Sequence, residues 1–425
     1  MDDKSILALL GLDSSLFIVE PVINFSDKEI TINAELVDDN PRICKNCKSN
    51  DVIIKDKEIV KINISAYSSA FSQKIILCLK KRKYFCKKCK KTYSQSNKIS
   101  SNRKLLSTAI SWQIYNETKN LVSFSKIAND LKISEGAVRY IFNSLKTEGR
   151  KAMPITLCVD EKKFNSDLGK YICVLSNPYN GDIVDVIASR LTPVLNEYFN
   201  GISQKERDSV KFFVSDMYEG YRTIKKRFFK NAVHIIDYFH ITKLFTETIQ
   251  ILRKNLMKNY DPKTFEYKFL KMNWKLFLLN PYNKNNYGLL GKTYYDKENN
   301  EYLDFKEALN LMMVKSPDLC LAYSIYSDYC HYLVRGNNVE KTKESLDFIV
   351  NRCLQSNCHL IEKIGLTLLN FYDEIVNTYS NVNLGNYSNA IAESINAKID
   401  KLITISNGIR SFATLRKRLL HLSKK

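Results

Sequence analysis

Residues 155–190 read ITLCVDEKKFNSDLGKYICVLSNPYNGDIVDVIASR. Three short strands are expected in this stretch. Ile155–Val159 is apolar and β-branched and runs straight into Asp160 and Glu161. Tyr171–Leu175 is a second apolar run, Asn180-Gly181 is a tight hairpin signal, and Ile183–Ala188 is the third strand. A buried strand that ends on two acids is costly, because a carboxylate beside a core loses its hydration. Something cationic is therefore expected there, and Asp160 reads as the first metal ligand of a phosphoryl-transfer site.

Downstream the pattern repeats. Pro193–Phe199 reads as a helix, and Val210–Val214 is a fourth apolar strand that runs into Ser215-Asp216. The helix Tyr218–Phe229 follows, carrying Arg222, Lys225, Lys226 and Arg227. A fifth strand, Ala232–Ile236, ends in Asp237-Tyr238-Phe239-His240. A three-strand meander followed by two helix-separated strands is the ribonuclease-H-like order, in which the ends of the first and fourth strands lie side by side. Asp160 and Asp216 are thus expected to reach one ion. Glu161 is the weaker candidate, since the pleat turns it to the opposite face if the strand continues.

Upstream, PRICKNCKSN holds Cys44 and Cys47, and KRKYFCKKCKKTYSQ holds Cys86 and Cys89. Each Cys-x-x-Cys pair offers two thiolates from one turn, so four complete a tetrahedral structural zinc site. Val52–Ile54, Ile59–Ile64 and Lys74–Leu79 look like strands, so a zinc ribbon with an extended hairpin is expected. Cys78 reads as a buried strand residue rather than a ligand. Lys80–Lys83, Lys87, Lys88, Lys90 and Lys91 make a basic face suited to phosphates. Upstream of the knuckles, Lys4–Leu10 is an amphipathic helix candidate, with strands at Phe17–Phe25 and Glu29–Leu36.

Between these regions lies SFSKIANDLKISEGAVRYIFNSL, a helix-turn-helix pattern preceded by a helix at Leu105–Tyr115. Ser125–Leu131 gives the first helix, and Ser134 caps the second. Residues near the second helix's start, Glu135, Gly136, Arg139 and Tyr140, would face a major groove. A generic helical hairpin shares the pattern, but beside the cysteine module and the basic balance DNA binding is the better reading.

A helical tract is expected from Ile241 to Tyr379, and its Cys358-His359 pair matches no common metal spacing. The C-terminal piece reads as a helix, a Gly408 break and a second, basic helix that begins near Arg410. On the first, Ile391, Ile395, Ile399 and Leu402 form the apolar stripe, while Asn389, Glu393, Asn396 and Asp400 share another face. Glu393 is placed as a third ligand would be.

Composition fits. Lys and Arg outnumber acids 65 to 45, a net charge of +20, which favours a polyanionic partner. Eleven cysteines, an odd number, argue against a disulfide framework. No run approaches a membrane span, and the acidic start MDDKSILALLGL does not read as a signal peptide, so a cytosolic protein is expected.

The chain resembles the DDE transposases of bacterial insertion sequences, most closely the ISL3 family. The resemblance rests on RKYFCKKC with the earlier cysteine pair, the helix-turn-helix, VDEKKF with GKY downstream, SDMYEGYR, DYFH and AESINAKIDKLITISNGIRSF. It departs mildly at Ser394, where the family often has Gly. By this resemblance Asp160, Asp216 and Glu393 are the acidic triad, and Asp237 with His240 forms an Asp-x-x-His motif. The implied reaction is hydrolysis at the element's ends, then attack of the freed 3′-hydroxyl on target DNA. Two Mg²⁺ or Mn²⁺ ions about 4 Å apart suit such carboxylates, and His240 would contact the scissile phosphate or brace the site.

The implied layout is a zinc-ribbon DNA-binding region at 1–99, a helix-turn-helix at 100–150 and the first part of the core at 151–258. A helical insertion at 259–380 and C-terminal core helices at 381–425 carrying the third acid complete it. The modules would bind terminal inverted repeats and target as double-stranded DNA, through Arg139, Tyr140, Lys87, Lys88, Arg222 and Arg410. A homodimer on DNA, on the bacterial chromosome and away from membranes, is expected. The rival readings are a DNA-binding regulator with a decayed core, and a ribonuclease-H-like nuclease that cuts without strand transfer.

Overall fold

The computed structural model describes residues 15, 17, 22–26, 29–37, 42–64, 74–97, 99–100, 106–146, 149–279, 293–296, 300–334, 338–380, 389–406 and 409–422. Side chains at 108–109, 305 and 389–393 are outside that description. So is the helix expected at Lys4–Leu10. The chain forms two units, Met1–Gly149 with Ala397–Lys425, and Arg150–Asn396.

In the first unit, β1 (Val22–Phe25), β2 (Glu29–Glu35), β3 (Val52–Asn63), β4 (Lys74–Cys86) and β5 (Thr92–Ser94) build one sheet in the order β1-β2-β4-β3, with β5 also on β4. The separate short strands expected at Val52–Ile54 and Ile59–Ile64 are one strand, joined through an irregularity between Ile54 and Asp56. Ile32, Ile62, Ile75, Leu77 and Leu79 are buried between its apolar rows. Of the strand expected over Phe17–Phe25, Val22–Phe25 is described as β1 and Phe17 makes an isolated bridge to Leu36; residues 18–21 lie outside the described residues.

Three helices follow at Thr108–Glu117, Phe124–Asp130 and Glu135–Ser144. Ser123 and Ser134 each accept a hydrogen bond from the N–H three residues on, which starts the second and third. Ile110, Ile114, Ile127, Val138 and Phe142 form their shared core. The helix Phe412–Leu422, expected among the core helices, is anchored here instead. Lys417 Nζ donates to the carbonyls of Asn143 and Leu145, and His421 Nε2 lies 2.9 Å from Tyr115 O. Basic side chains thus satisfy carbonyls at helix ends, which is why a positively charged helix is buried.

The second unit is built on a five-stranded sheet. Its strands are β6 (Thr156–Ser166), β7 (Gly169–Asn177), β8 (Asp182–Ile187), β9 (Phe212–Ser215) and β10 (Val233–Ile236), in the order β10-β9-β6-β7-β8. β6, β7 and β8 form the antiparallel meander, and β9 and β10 run parallel to β6. Gly181, at φ 70°, takes the left-handed conformation that the turn before β8 needs. Leu157, Val159, Cys173, Leu175 and Phe213 pack on one face against Leu195 and Phe199 of the helix Thr192–Asn200 and Tyr221 and Ile224 of the helix Glu219–Phe228. Cys158, Val214 and Ile235 face the other way, as period-two alternation requires.

β6 does not stop at the acids as expected; it continues to Ser166. Pairing with β7 carries it on, with Glu161 opposite Cys173 and Lys162 opposite Ile172. At the opposite edge, the helix Tyr372–Ser380 covers β10, where Thr378 Oγ1 accepts from Ile236 N at 2.9 Å. The remainder is a helical assembly from Tyr238–Met257 to Tyr372–Ser380 around Phe245, Phe269, Leu333 and Ile361. One feature was not expected in the helical tract, a hairpin of β11 (Thr293–Asp296) and β12 (Glu301–Asp304).

Candidate active site and metal centres

The parallel register decides the first site. Val159 pairs with Ser215, and Ser215 pairs with Ile236, so Asp160, Asp216 and Asp237 are the next residues on three adjacent parallel strands. Asp237 N donates to Ser215 O at 2.8 Å, which extends the β10–β9 ladder by one bond. Asp237 then caps the long helix Tyr238–Met257 by accepting from Phe239 N. One turn on, His240 Nε2 stands 3.9 Å from Asp237 Oδ2.

Asp216 Oδ1 is buried and has no hydrogen-bond partner among the described residues. Burial pushes its carboxyl up to about 6; His240 opposes the shift, and the negative neighbours Glu161 and Asp160 add to it. An unpartnered buried carboxylate oxygen is what a hard cation's ligand set looks like without the cation. Asp160 accepts from its neighbour Glu161 N at 2.7 Å and from Asn396 Nδ2 at 2.9 Å. Each carboxylate oxygen keeps a further lone pair for a metal.

Glu161 is held otherwise. It forms an ion pair with Arg190, whose guanidinium lies over the rings of Tyr171 and Tyr218 at 4.6 and 4.8 Å. Its charge is thereby partly compensated. Glu393 lies in the helix Asn389–Ile405, one turn before Asn396; its side chain is outside the description.

The second site is the cysteine cluster. Cys44, Cys47, Cys86 and Cys89 present sulfur atoms that all lie within 4.8 Å of one another, with Cys44–Cys89 at 3.5 Å and Cys47–Cys86 at 3.6 Å. A tetrahedron of Zn–S bonds of about 2.3 Å has sulfur–sulfur edges of about 3.8 Å, so the four thiols fit zinc. Among the described residues this is the one group of three or more such side chains close enough to share an ion. The two knuckles fold alike. Cys44 N donates to Ser49 O and Cys86 N to Lys91 O, and Lys48 and Lys90, each just after a second cysteine, take φ of 59° and 53°. The backbone N–H groups of Cys47 and Asn46 hold the Cys44 thiol down at about 6, against burial. Cys78 sits in β4 outside the cluster, but it is half-buried rather than buried.

Of the basic residues, Lys87 and Lys88 are exposed on the second knuckle, with Lys87 Nζ 3.9 Å from Asp51 Oδ1. Tyr140 is exposed on the helix Glu135–Ser144, and Arg139 pairs with Glu135 at 2.7 Å. Arg410 is exposed. Lys81 is buried against Glu58 and does not belong to the expected basic face.

Arg222, expected to clamp DNA, is instead committed inside the unit. Its guanidinium binds Glu374 at 2.8 and 3.1 Å, contacts Glu219 at 3.0 Å and lies 4.0 Å over the Phe371 ring. Only 13% of its side chain is exposed. Arg190, Asn396 and Glu374 were not singled out from the sequence as site residues. Asn396 had a signal, its place on the polar helix face with Glu393; the pairings of Arg190 and Glu374 had none, because each joins residues far apart in the chain.

Among the described residues no helix is long and apolar enough to cross a membrane. Residues 157–419, more than half of the chain, match a protein-family model described as Transposase, DDE_Tnp_ISL3. A comparison with curated proteins finds no match.

Proposed function

The chain belongs to the ISL3 family of DDE transposases, and from that premise we propose that it binds the terminal inverted repeats of a bacterial insertion sequence and catalyses metal-dependent cleavage and strand transfer. A transposase acts on DNA and uses divalent metal. The finer reading gives Asp160, Asp216 and Glu393 the role of metal-holding triad on a ribonuclease-H-like core. The observation that carries it is the register that sets Asp160, within β6, beside Asp216, just past the end of the parallel strand β9, with Asn396 tying the Glu393 helix to Asp160.

Hard carboxylate oxygens, one of them buried without a partner, fit Mg²⁺ or Mn²⁺. When bound, the ions supply Lewis-acid activation of a water or 3′-hydroxyl and stabilise the leaving 3′-oxygen. The chain's own residues do the positioning. Asn396 fixes the orientation of Asp160 through its amide. Asp237 holds the start of the helix Tyr238–Met257 and lies 3.9 Å from His240 Nε2, which would contact the scissile phosphate. Arg190 pairs with Glu161 and offsets part of the negative charge that Glu161 adds near Asp216.

Recognition is assigned to the first unit. The four cysteines would hold a structural zinc, and Lys87 and Lys88 would meet phosphates beside it. The helices Phe124–Asp130 and Glu135–Ser144 would act as a helix-turn-helix with Arg139 and Tyr140 toward the major groove. Arg410 would contact backbone. In this reading residues 1–99 and 100–150 are the DNA-binding modules and 151–380 the core with its insertion, the helix Phe412–Leu422 joining the first unit, and a homodimer on DNA, working on the chromosome in the bacterial cytoplasm, completes it.

The test is cleavage and strand transfer on a duplex carrying the element's own flanking repeats, with Mg²⁺ or Mn²⁺, wild type beside Asp216→Asn. Metal-dependent product lost in the variant supports the reading. Specific binding without product would point to a regulator with a decayed core, and nicking without end preference to a nuclease.

A further inference from the structure

The first unit contains a cavity of about 450 Å³ between the helices Phe124–Asp130, Glu135–Ser144 and Phe412–Leu422. Three arginines line it, Arg139, Arg410 and Arg418, against one acid, Glu135. Arg139 already binds Glu135 at 2.7 Å, which leaves Arg410 and Arg418 without a carboxylate partner among the described residues.

Arg418 is the informative one. It is 1% exposed and heads the wholly buried side chains by size. Its Nη2 donates to Val122 O at 2.8 Å and, at 3.4 Å, to Asn120 O, and its plane lies 4.8 Å over the Phe124 ring. Its Nε is buried with no hydrogen-bond partner, and no carboxylate pairs with it, among the described residues. Burial lowers its pKa to about 10. Two backbone carbonyls and the faces of Phe124 and Phe142 offset part of its charge, and an anion in the cavity would supply the counter-charge that no described carboxylate does.

The rim adds the matching half of the site. Arg410 is exposed, and no carboxylate pairs with it among the described residues. Ser411 Oγ accepts from Thr414 N at 3.4 Å and so begins the eleven-residue helix Phe412–Leu422, whose N-terminus carries the positive end of the helix dipole. The cavity is of the size that admits a drug-sized ligand, hence a phosphodiester with its flanking sugars.

We propose that this cavity receives one phosphate group of the DNA backbone, gripped by Arg418 and Arg410 at the N-terminus of the helix Phe412–Leu422. The assignment rests on the DNA-binding reading above and adds to it a fixed register point. In helix-turn-helix docking, contacts to the backbone orient the protein, and base contacts from the second helix supply specificity. A phosphate seated beside Arg139 would set how the helix Glu135–Ser144 enters the groove.

The test uses full-length protein, with a duplex carrying the flanking repeat and, separately, inorganic pyrophosphate as probes. Ser411→Asp and Ser411→Asn both keep a helix cap, and only the first adds a negative charge to the cavity rim. Thermal unfolding checks that each variant folds. Ser411→Asp is expected to weaken duplex binding about tenfold or more and to lower the salt-dependence slope by about 1, with Ser411→Asn within about twofold of wild type. Arg410→Ala is expected to lower the slope by the same step.

Wild-type affinity and slope in Ser411→Asp would overturn the phosphate assignment while leaving DNA binding standing. An equal loss in Ser411→Asn would overturn it too, since charge would not be the cause. Wild-type protein that is stabilised by pyrophosphate but takes no duplex would overturn both the DNA assignment and the DNA-binding reading beneath it.

Discussion

The side-chain amide of Asn396 donates to Asp160 Oδ2 at 2.9 Å, although 236 residues separate the two. The bond ties Asn396, on the helix Asn389–Ile405, to Asp160 within β6, and Glu393 stands one turn earlier on that helix. The third acid of the proposed triad is therefore placed by a neutral amide. Replacing it tests the placement. Asn396→Ala should leave the fold intact and lower metal-dependent cleavage about 10- to 100-fold, the range seen when groups that orient metal ligands are lost. Single-turnover cleavage at rising Mg²⁺ would read it, and a variant as fast as wild type would remove Asn396 from the positioning role.

Asp160→Asn, Asp216→Asn and Glu393→Gln should each abolish cleavage while end binding stays within a few fold. Asp216→Asn should do one thing more. Its Oδ1 is buried without a partner among the described residues, so in metal-free protein the negative charge is a burden. The substitution should raise metal-free stability by about 1–3 kcal/mol. Unfolding in chelator, with and without the variant, checks the sign; a loss of stability would mean that the carboxylate is compensated in the free protein.

The four-cysteine cluster should hold one zinc per chain, measured by elemental analysis. Any single Cys→Ser among Cys44, Cys47, Cys86 and Cys89 should release it and unfold the knuckles, because a structural site supplies folding free energy directly. Cys78→Ser should keep the metal, since Cys78 lies outside the cluster. DNA binding should fall with the metal, and retained end binding in the zinc-free protein would separate the ribbon from recognition.

Much of this architecture was readable because it is local. Cys-x-x-Cys spacing, apolar runs that lead into Asp160 and Asp216, and the capping serine Ser134 each act within a few residues. What was not readable depends on distant partners. The helix Glu219–Phe228 shows a row of cationic residues that looks like a DNA-facing surface, yet Arg222 meets Glu374, 152 positions away. In the same way Arg418 sits on a basic C-terminal helix whose charge suggests exposure, and only the packed structure shows it buried over Phe124. The length of β6 depended on β7 pairing past the acids, which no pattern in Ile155–Val159 could announce.

The Arg222–Glu374 pair gives a pH prediction. Burial pushes the Glu374 carboxyl up, but His234, with Nδ1 3.6 Å away, and the two-point contact with Arg222 outweigh it and hold the group at about 2. A carboxylate depressed in the folded state stabilises the protein above its unfolded pKa, here the ordinary 4.5, and the benefit is lost as pH falls toward 2. Since the group is only partly desolvated, the contribution is about 2 kcal/mol rather than the full shift. Glu374→Gln should therefore destabilise the protein by about that amount at pH 7 and by much less near pH 2.5, with urea unfolding at both values as the measurement. Arg222→Ala should cost more at pH 7, because it leaves Glu374 buried without its partner. If Arg222→Ala instead lowered DNA affinity and left stability unchanged, the guanidinium would belong to the DNA surface after all.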